Sequence, residues 1–178
     1  MNYEIRQCTA TDLSELLSLE AEVIASLEDP AILRRNSEAM WRTCLAEPHL
    51  TLGAWFADHL VAIAVLYTPT DGDPDNLAAL LQPPSSQPSA NYKICLVAPA
   101  HRGQGLQRRL GLLLEDEARG RGVNLLCSTV SPLNVASLAN LEALGYRRNR
   151  ELQKYGSTRL LMAKHLYPTA ENGKKSTL

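Results

Sequence analysis

The chain has 178 residues, of which 45% are hydrophobic and 21% are charged, and this composition predicts one soluble domain with its own core. The formal net charge is −1, from 18 basic and 19 acidic residues, so electrostatics give no reason to expect nucleic acid or a membrane surface as the main partner. Four widely spaced cysteines without a C-x-x-C pair, and an N-terminus without the apolar segment of a signal peptide, predict free thiols and a cytoplasmic location.

The N-terminal part of the chain is predicted to form a strand, two helices and a hairpin. Polar and apolar residues alternate over 3–8, which predicts a strand. A capping box at Thr9–Asp12 then opens a helix that leucines at helical spacing carry to about Leu27. A second helix is predicted at 37–46, and two apolar runs within 51–67 predict a strand pair joined by a tight turn.

The central part combines a long loop with a strand, a glycine-rich turn and a helix. Residues 68–90 carry five prolines, and a loop of this length is often functional, so it could form a wall of a substrate cleft. An apolar strand is predicted at 92–97. Leucines at helical spacing from Leu106 onward, ended by Gly120, predict the helix that follows the turn.

The C-terminal part is predicted to add a strand, a helix and a last hairpin. Residues 124–130 predict a short apolar strand, and Asn134 begins a helix that ends at Gly145. Two further strands follow around a Gly-Ser turn. The order βααββ, long loop, βαβαββ predicts an α/β domain over 1–166, in which helices flank a mixed sheet, and a disordered tail at 167–178.

The stretch from Leu96 to Leu110 carries the strongest chemical signal. A strand stops at Pro99, a basic glycine-rich turn follows, and apolar residues then return at helical spacing. Free backbone N–H groups at such a junction favour binding of an anion, and the helix dipole adds to this. Gly103 and Gly105 would let the backbone approach a ligand closely. A plain tight turn is the alternative that this stretch alone leaves open.

Two motifs lie on either side of one predicted strand. The first is Val97–Pro99 followed by Arg102–Gln107 (RGQGLQ), to be compared with R/Q-x-x-G-x-G/A after a strand ending in V-x-P. The second is Asn134–Tyr146 (NVASLANLEALGY), to be compared with N-x-x-A/S-x-x-x-Y-x-x-x-G-F/Y. With both motifs, the chain resembles the GNAT family of acyl-CoA N-acyltransferases. A narrower resemblance, through Lys154-Tyr155-Gly156-x-x-Arg159, is to a bacterial subgroup of unassigned substrate.

The resemblance implies direct transfer of an acetyl group from acetyl-CoA to an amine of a small molecule or peptide, without a covalent enzyme intermediate and without a metal. The turn would hold the pyrophosphate, and the end of the strand would present backbone groups to the pantetheine arm and the thioester oxygen. Asn134 would bond the arm or cap its helix, and the two roles are compatible. The residues that the resemblance assigns to the cofactor are Leu96, Val97, Arg102, Gly103, Gln104, Gly105, Leu106, Gln107, Arg108, Asn134 and Ser137.

The sequence departs from the family pattern at two positions. Gln107 replaces the last small residue of the first motif. Leu141 occupies the position of the tyrosine that is usually assigned as general acid, and leucine cannot donate a proton. The catalytic residues therefore stay unknown. Ser137 is a candidate relay through water, or a small residue that makes room for the cofactor; Tyr155 is a candidate for the acceptor site, or a packed hairpin aromatic.

The general base and the exact function also stay open at this point. No acidic residue lies in the strand before the turn, and His101 and Glu20 have simpler interpretations as an exposed loop histidine and a surface charge. Leu141 favours an alternative function, a catalytically weak acyl-CoA-binding sensor or partner module. The oligomeric state is undetermined, with a homodimer as one alternative.

Overall fold

The computed structural model describes residues 1–166, and the tail predicted at 167–178 lies outside the described residues. The order of strands and helices agrees with the sequence prediction. The elements are β1 (Glu4–Gln7), α1 (Leu13–Ala25), α2 (Glu38–Cys44), β2 (Leu50–Phe56), β3 (His59–Tyr67), β4 (Ser89–Val97), α3 (Leu106–Gly120), β5 (Leu125–Val130), α4 (Val135–Ala143), β6 (Arg147–Lys154) and β7 (Ser157–His165).

The seven strands form one mixed sheet in the order β1-β2-β3-β4-β5-β7-β6. Every neighbouring pair is antiparallel except β4 and β5, which are parallel. The prediction of a mixed sheet flanked by helices is confirmed.

The parallel pair β4–β5 is short, and this shortness makes room for a site. The two strands pair only from Ser89↔Leu125 to Asn91↔Cys127. Beyond that point β4 continues to Val97 paired with β3 alone, while β5 continues to Val130 paired with β7 alone. The middle of the sheet therefore opens into a gap between two strands that have diverged.

Helices cover β3 and β4 and are themselves held together by specific contacts. On the α1–α2 layer, the buried indole of Trp41 donates from Nε1 to Glu20 Oε2 at 3.0 Å. On the α3–α4 layer, Gly111 lies so close to Leu144 that a Cβ there would come within 2.9 Å of its methyl group. This glycine is needed for close helix packing rather than for backbone freedom.

The interpretation of Glu20 as a surface charge was wrong. Its side chain is only 4% exposed, and its Oε1 accepts hydrogen bonds from the backbone N–H of Asn36 at 2.9 Å and from Asn36 Nδ2 at 2.8 Å. Helical spacing shows which face of α1 is apolar, but it does not show that a loop and α2 bring three donors to one carboxylate. Glu20 thus fixes the segment before α2, which forms a wall of the cleft described below.

Two further properties bear on function. No helix within residues 1–166 combines the length and the apolar character needed to cross a membrane. All four cysteines are free thiols; Cys8, Cys44 and Cys127 are buried, and Cys95 is half-buried. Burial raises the pKa of Cys95 to about 12, so this thiol is un-ionised near neutral pH.

Candidate cofactor and acceptor cleft

A cleft of about 730 Å³ opens where β4 and β5 diverge. Its floor is formed by β4 and β5, and one end is closed by the turn before α3 and the first turn of that helix. The start of α4 lies along one side. The opposite end is bounded by the segment between α1 and α2 and by the β6–β7 hairpin. The cleft therefore has two chemically different ends joined by the exposed edge of β4.

The turn at the first end has the geometry of an anion cradle. Gly103 and Gly105 have φ of +75° and +71°, in the left-handed region, and a Cβ at either position would meet nothing within 4 Å. The first ladder bond of α3 runs from Arg109 N–H to Gly105 O at 2.9 Å. The amides of residues 106–108 therefore have no acceptor within the helix, and they point out of its positive end.

Most of the residues assigned to the cradle from sequence line this end of the cleft. They are Arg102, Gly103, Gly105, Leu106, Gln107 and Arg108. Gln104 does not line it and is exposed. Arg102 is also exposed, and its Nη2 donates to Ser26 Oγ at the end of α1 at 2.8 Å, so the guanidinium bridges the turn and the opposite wall.

Gln107 turns its side chain toward α4 rather than into the cradle. Its Oε1 accepts a hydrogen bond from Asn140 Nδ2 at 2.9 Å. Gln107, which replaces the last small residue of the family motif, is thereby held against the neighbouring helix. Its side chain does not cover its own backbone amide. Asn140 also lines the cleft, and through this hydrogen bond it links α4 to α3.

The edge of β4 presents backbone groups to the gap. Ala98 donates its N–H to Val61 O on β3 at 2.8 Å. Because donors alternate along a strand, the amides of Val97 and Cys95 point away from β3, toward the side where pairing with β5 has ended. Leu96 also lines the cleft, but the same alternation directs its amide at β3.

The first turn of α4 supplies polar groups to the side wall. Asn134 is the N-cap of α4, and its Oδ1 accepts the backbone N–H of Ser137 at 3.1 Å. This cap leaves the amide Nδ2 of Asn134 available to a ligand. Leu141 follows on the same helix, lines the cleft and is 2% exposed. Leu141, which occupies the position of the family's tyrosine, thus lines the cleft but cannot donate a proton.

Tyr155 lies at the second end of the cleft, where it is hydrogen bonded to a carboxylate. Its hydroxyl donates to Asp75 Oδ1 at 2.7 Å. Burial raises the pKa of Tyr155, and the hydrogen bond to Asp75 raises it further, so the phenol stays protonated at neutral pH. Tyr155 is consequently unsuited to act as a base.

Asp75, on the loop between β3 and β4, forms ion pairs with lysines from two strands. Lys93 of β4 pairs with its Oδ2, and Lys154 Nζ lies 3.1 Å from its Oδ1. Burial alone would raise the pKa of Asp75, but hydrogen bonds from Lys93 and Tyr155 outweigh it and hold the pKa well below its ordinary value. Asp75 is therefore an anion that neutralises Lys93 and orients Tyr155.

Among the described residues, the charged side chains that line the cleft are all basic. None is an aspartate or glutamate, and the set consists of Arg34, Lys93, Arg102, Arg108 and Arg159. Two of these lie at the cradle. The others lie with Tyr155 at the second end, where sequence patterns had indicated Arg159 only as part of a subgroup resemblance and had not indicated Arg34 or Lys93.

His101 is part of an aromatic cluster, so its interpretation as an exposed loop histidine was wrong. Its Nδ1 is 3.1 Å from the hydroxyl of Tyr3, and its ring packs edge-on against Tyr3 and 5.3 Å from the ring of Phe56.

Residues 1–166 also contain no group of three or more His, Cys, Asp or Glu side chains placed to hold a metal ion.

Comparisons with known proteins agree with this geometry. A family model described as "Acetyltransferase (GNAT) family" matches residues 12–146. No curated protein matches the chain by sequence. Solved structures with a similar fold include the ribosomal-protein-S18-alanine N-acetyltransferase of Escherichia coli, which is 22% identical with a TM-score of 0.72, covering 96% of this chain and 98% of that one.

Two further structures of similar fold contain a cofactor. The YncA protein of Salmonella typhimurium, solved with acetyl-CoA, is 19% identical with a TM-score of 0.69, covering 94% of this chain and 96% of that one. The PaiA N-acetyltransferase of Thermoplasma acidophilum, solved with coenzyme A, is 16% identical with a TM-score of 0.64, covering 93% of this chain and 99% of that one.

Proposed function

Because the chain belongs to the GNAT family of acetyltransferases, we propose that it transfers an acetyl group from acetyl-CoA directly to an amine of a small molecule or peptide. The observation that carries this proposal is the continuous cleft, with an anion cradle at one end, an unpaired strand edge in the middle and a cationic chamber at the other end. Acetyl-CoA supplies the activated acetyl group. The free thiols and the cosubstrate both favour action in the cytoplasm.

The residues of the cradle and of β4 fit this cosubstrate. The amides of residues 106–108 would bind the pyrophosphate, with Arg108 near enough to add a charged donor. Val97 would present its amide to the pantetheine arm, with Asn134 Nδ2 on the opposite wall. Cys95 would aim its backbone N–H at the thioester oxygen, and one such donor contributes about 3 kcal/mol to stabilising the transition state.

The electrostatics of the cleft replace a dedicated base. No carboxylate lines the cleft among residues 1–166, and Tyr155 stays protonated. Positive charges near a bound ammonium group lower its pKa, so Arg34 and Arg159, which line this end of the cleft, favour the neutral, nucleophilic amine. The same positive field stabilises the thiolate that leaves. Ser137, half-buried beside the cleft, is the side chain we assign to pass a proton through water to that sulfur.

A thiol-release assay with acetyl-CoA and a panel of primary amines tests the proposal. We expect thiol release that depends on the amine, together with a product that is heavier by one acetyl group in mass spectrometry. Binding of acetyl-CoA without turnover on any amine would contradict the proposal. That outcome would support the second candidate, a catalytically weak acyl-CoA-binding module, which the leucine at position 141 favours.

A further inference from the structure

Arg159 is a buried cation without a carboxylate partner among the described residues. It lies on β7, it is 6% exposed, and it lines the cationic end of the cleft. Its Nη1 donates to the backbone oxygen of Ile32 at 3.1 Å, and its buried Nε has no hydrogen-bond partner within residues 1–166. Buried arginines are nearly always paired, because a buried charge without a counterion is costly.

Two largely buried lysines of the described domain follow that rule. Lys93 pairs with Asp75, and Lys164 Nζ lies 2.6 Å from Glu115 Oε2. Asp75 forms no ion pair with Arg159 among the described residues, and its oxygens bind Lys93, Lys154 and Tyr155 instead. Arg159 is thus a desolvated donor whose buried Nε has no partner within residues 1–166, and it lines a cleft in which no described lining residue is acidic.

Arg34 places a second guanidinium at the same end of the cleft. Its Cζ stacks 3.7 Å over the ring of Tyr155, which holds the side chain in place. Its Nη1 forms a long ion pair with Asp75 Oδ2 at 3.8 Å, which is beyond hydrogen-bonding distance. Burial lowers the pKa of Arg159, and the neighbouring charge of Arg34 lowers it further. Two like charges are therefore held near each other, an arrangement that an anion between them would stabilise.

We propose that Arg159 and Arg34 form a carboxylate-binding subsite, so that the acceptor is an amine that also carries a carboxylate, as an amino acid does. This inference rests on the proposed function, since it names the acceptor for the second end of the same cleft. A guanidinium binds a carboxylate through two parallel N–H donors, and the unpartnered Nε of Arg159 would supply one of them. The carboxylate would be held at the hairpin wall while the amine faces β4.

Product binding tests the subsite without requiring turnover. The protein, saturated with coenzyme A, is titrated calorimetrically with N-acetylglycine, N-acetylmethionine and N-acetylphenylalanine, and with the three corresponding carboxamides. We expect at least one carboxylate to bind ten times or more tightly than its own amide. We also expect Arg159→Gln and Arg34→Gln to reduce that preference to less than threefold.

Two results would overturn the subsite. One is that no carboxylate binds more tightly than its amide, and the other is that the preference persists in Arg159→Gln. Arg147→Gln is the matched control, because it removes one positive charge from an exposed position on β6 outside the cleft, and it should keep the full preference. If Arg159→Gln fails to fold, as shown by lost affinity for coenzyme A, the half-exposed Arg34 decides the question.

The proposed function fails in a different way. If coenzyme A binds and the carboxylate preference is found, but no amine is acetylated, the subsite stands and the transfer reaction is refuted. If amines are acetylated with no difference between carboxylates and carboxamides, transfer stands and the subsite is refuted.

Discussion

Substitution of Gly105 by glutamate, compared with a control glycine, separates the effect of the cradle on cofactor binding from the effect of the glycine on stability. Gly105 has φ of +71° and lines the cleft, and a Cβ there meets no atom within 4 Å. A residue other than glycine in this conformation costs about 1–2 kcal/mol of stability. Gly122, just beyond the other end of α3, has φ of +74° and equally open surroundings. Gly122→Glu should therefore cost a similar amount while lying outside the cleft.

The two variants should differ in cofactor affinity. A glutamate at position 105 places negative charge and bulk before the amides of residues 106–108. Losing one or two of their charge-assisted hydrogen bonds weakens binding by about 3 kcal/mol, or roughly a hundredfold in Kd. Calorimetric titration with acetyl-CoA should show this loss for Gly105→Glu and no change for Gly122→Glu. An unchanged Kd in folded Gly105→Glu, or equal losses in both variants, would refute the cradle.

Three further predictions concern proton transfer and stability. Leu141→Tyr should raise kcat for acetyl transfer while Leu141→Phe, which adds bulk without a hydroxyl, should not; equal rates in steady-state assays would contradict a vacant acid position. The Arg6 hydrogen bonds, acting against burial, lower the pKa of Asp12 to about 2, so Asp12→Asn should cost about 1–2 kcal/mol at neutral pH. That cost should disappear as the pH falls from 4 through 2 in urea unfolding, and a cost independent of pH would contradict it. Glu20→Gln should destabilise the fold by about 2–3 kcal/mol because a buried acceptor is lost, whereas the exposed Glu22→Gln should stay within 0.5 kcal/mol; similar unfolding midpoints for both would refute the buried network.

The order of elements and the glycine-rich turn could be predicted from sequence because both depend on local patterns. A stretch of about ten residues is enough to show helical or strand periodicity. The glycine-rich turn likewise joins a strand to the helix that directly follows it. The family resemblance added the separation between the two motifs. These features describe the half of the cleft that we propose binds the cofactor.

The half of the cleft that we propose binds the acceptor could not be predicted in the same way, since its contacts join distant parts of the chain. Tyr155 and Asp75 are 80 residues apart, and Arg159 meets Ile32 across 127 residues. Burial of Glu20 likewise depends on donors that arrive from another helix and a loop. No periodicity or short motif contains such information, so the buried charges of this half were interpreted as surface residues or left unassigned.

A crystal structure of the protein with coenzyme A would test the central claim most directly. We expect the pyrophosphate oxygens within hydrogen-bonding distance of the amides of residues 106–108, and the pantetheine arm along β4 in the gap left by β5. The sulfur should then face the chamber that holds Tyr155 and Arg159. Coenzyme A bound outside this gap, or bound with its sulfur directed away from that chamber, would contradict the account.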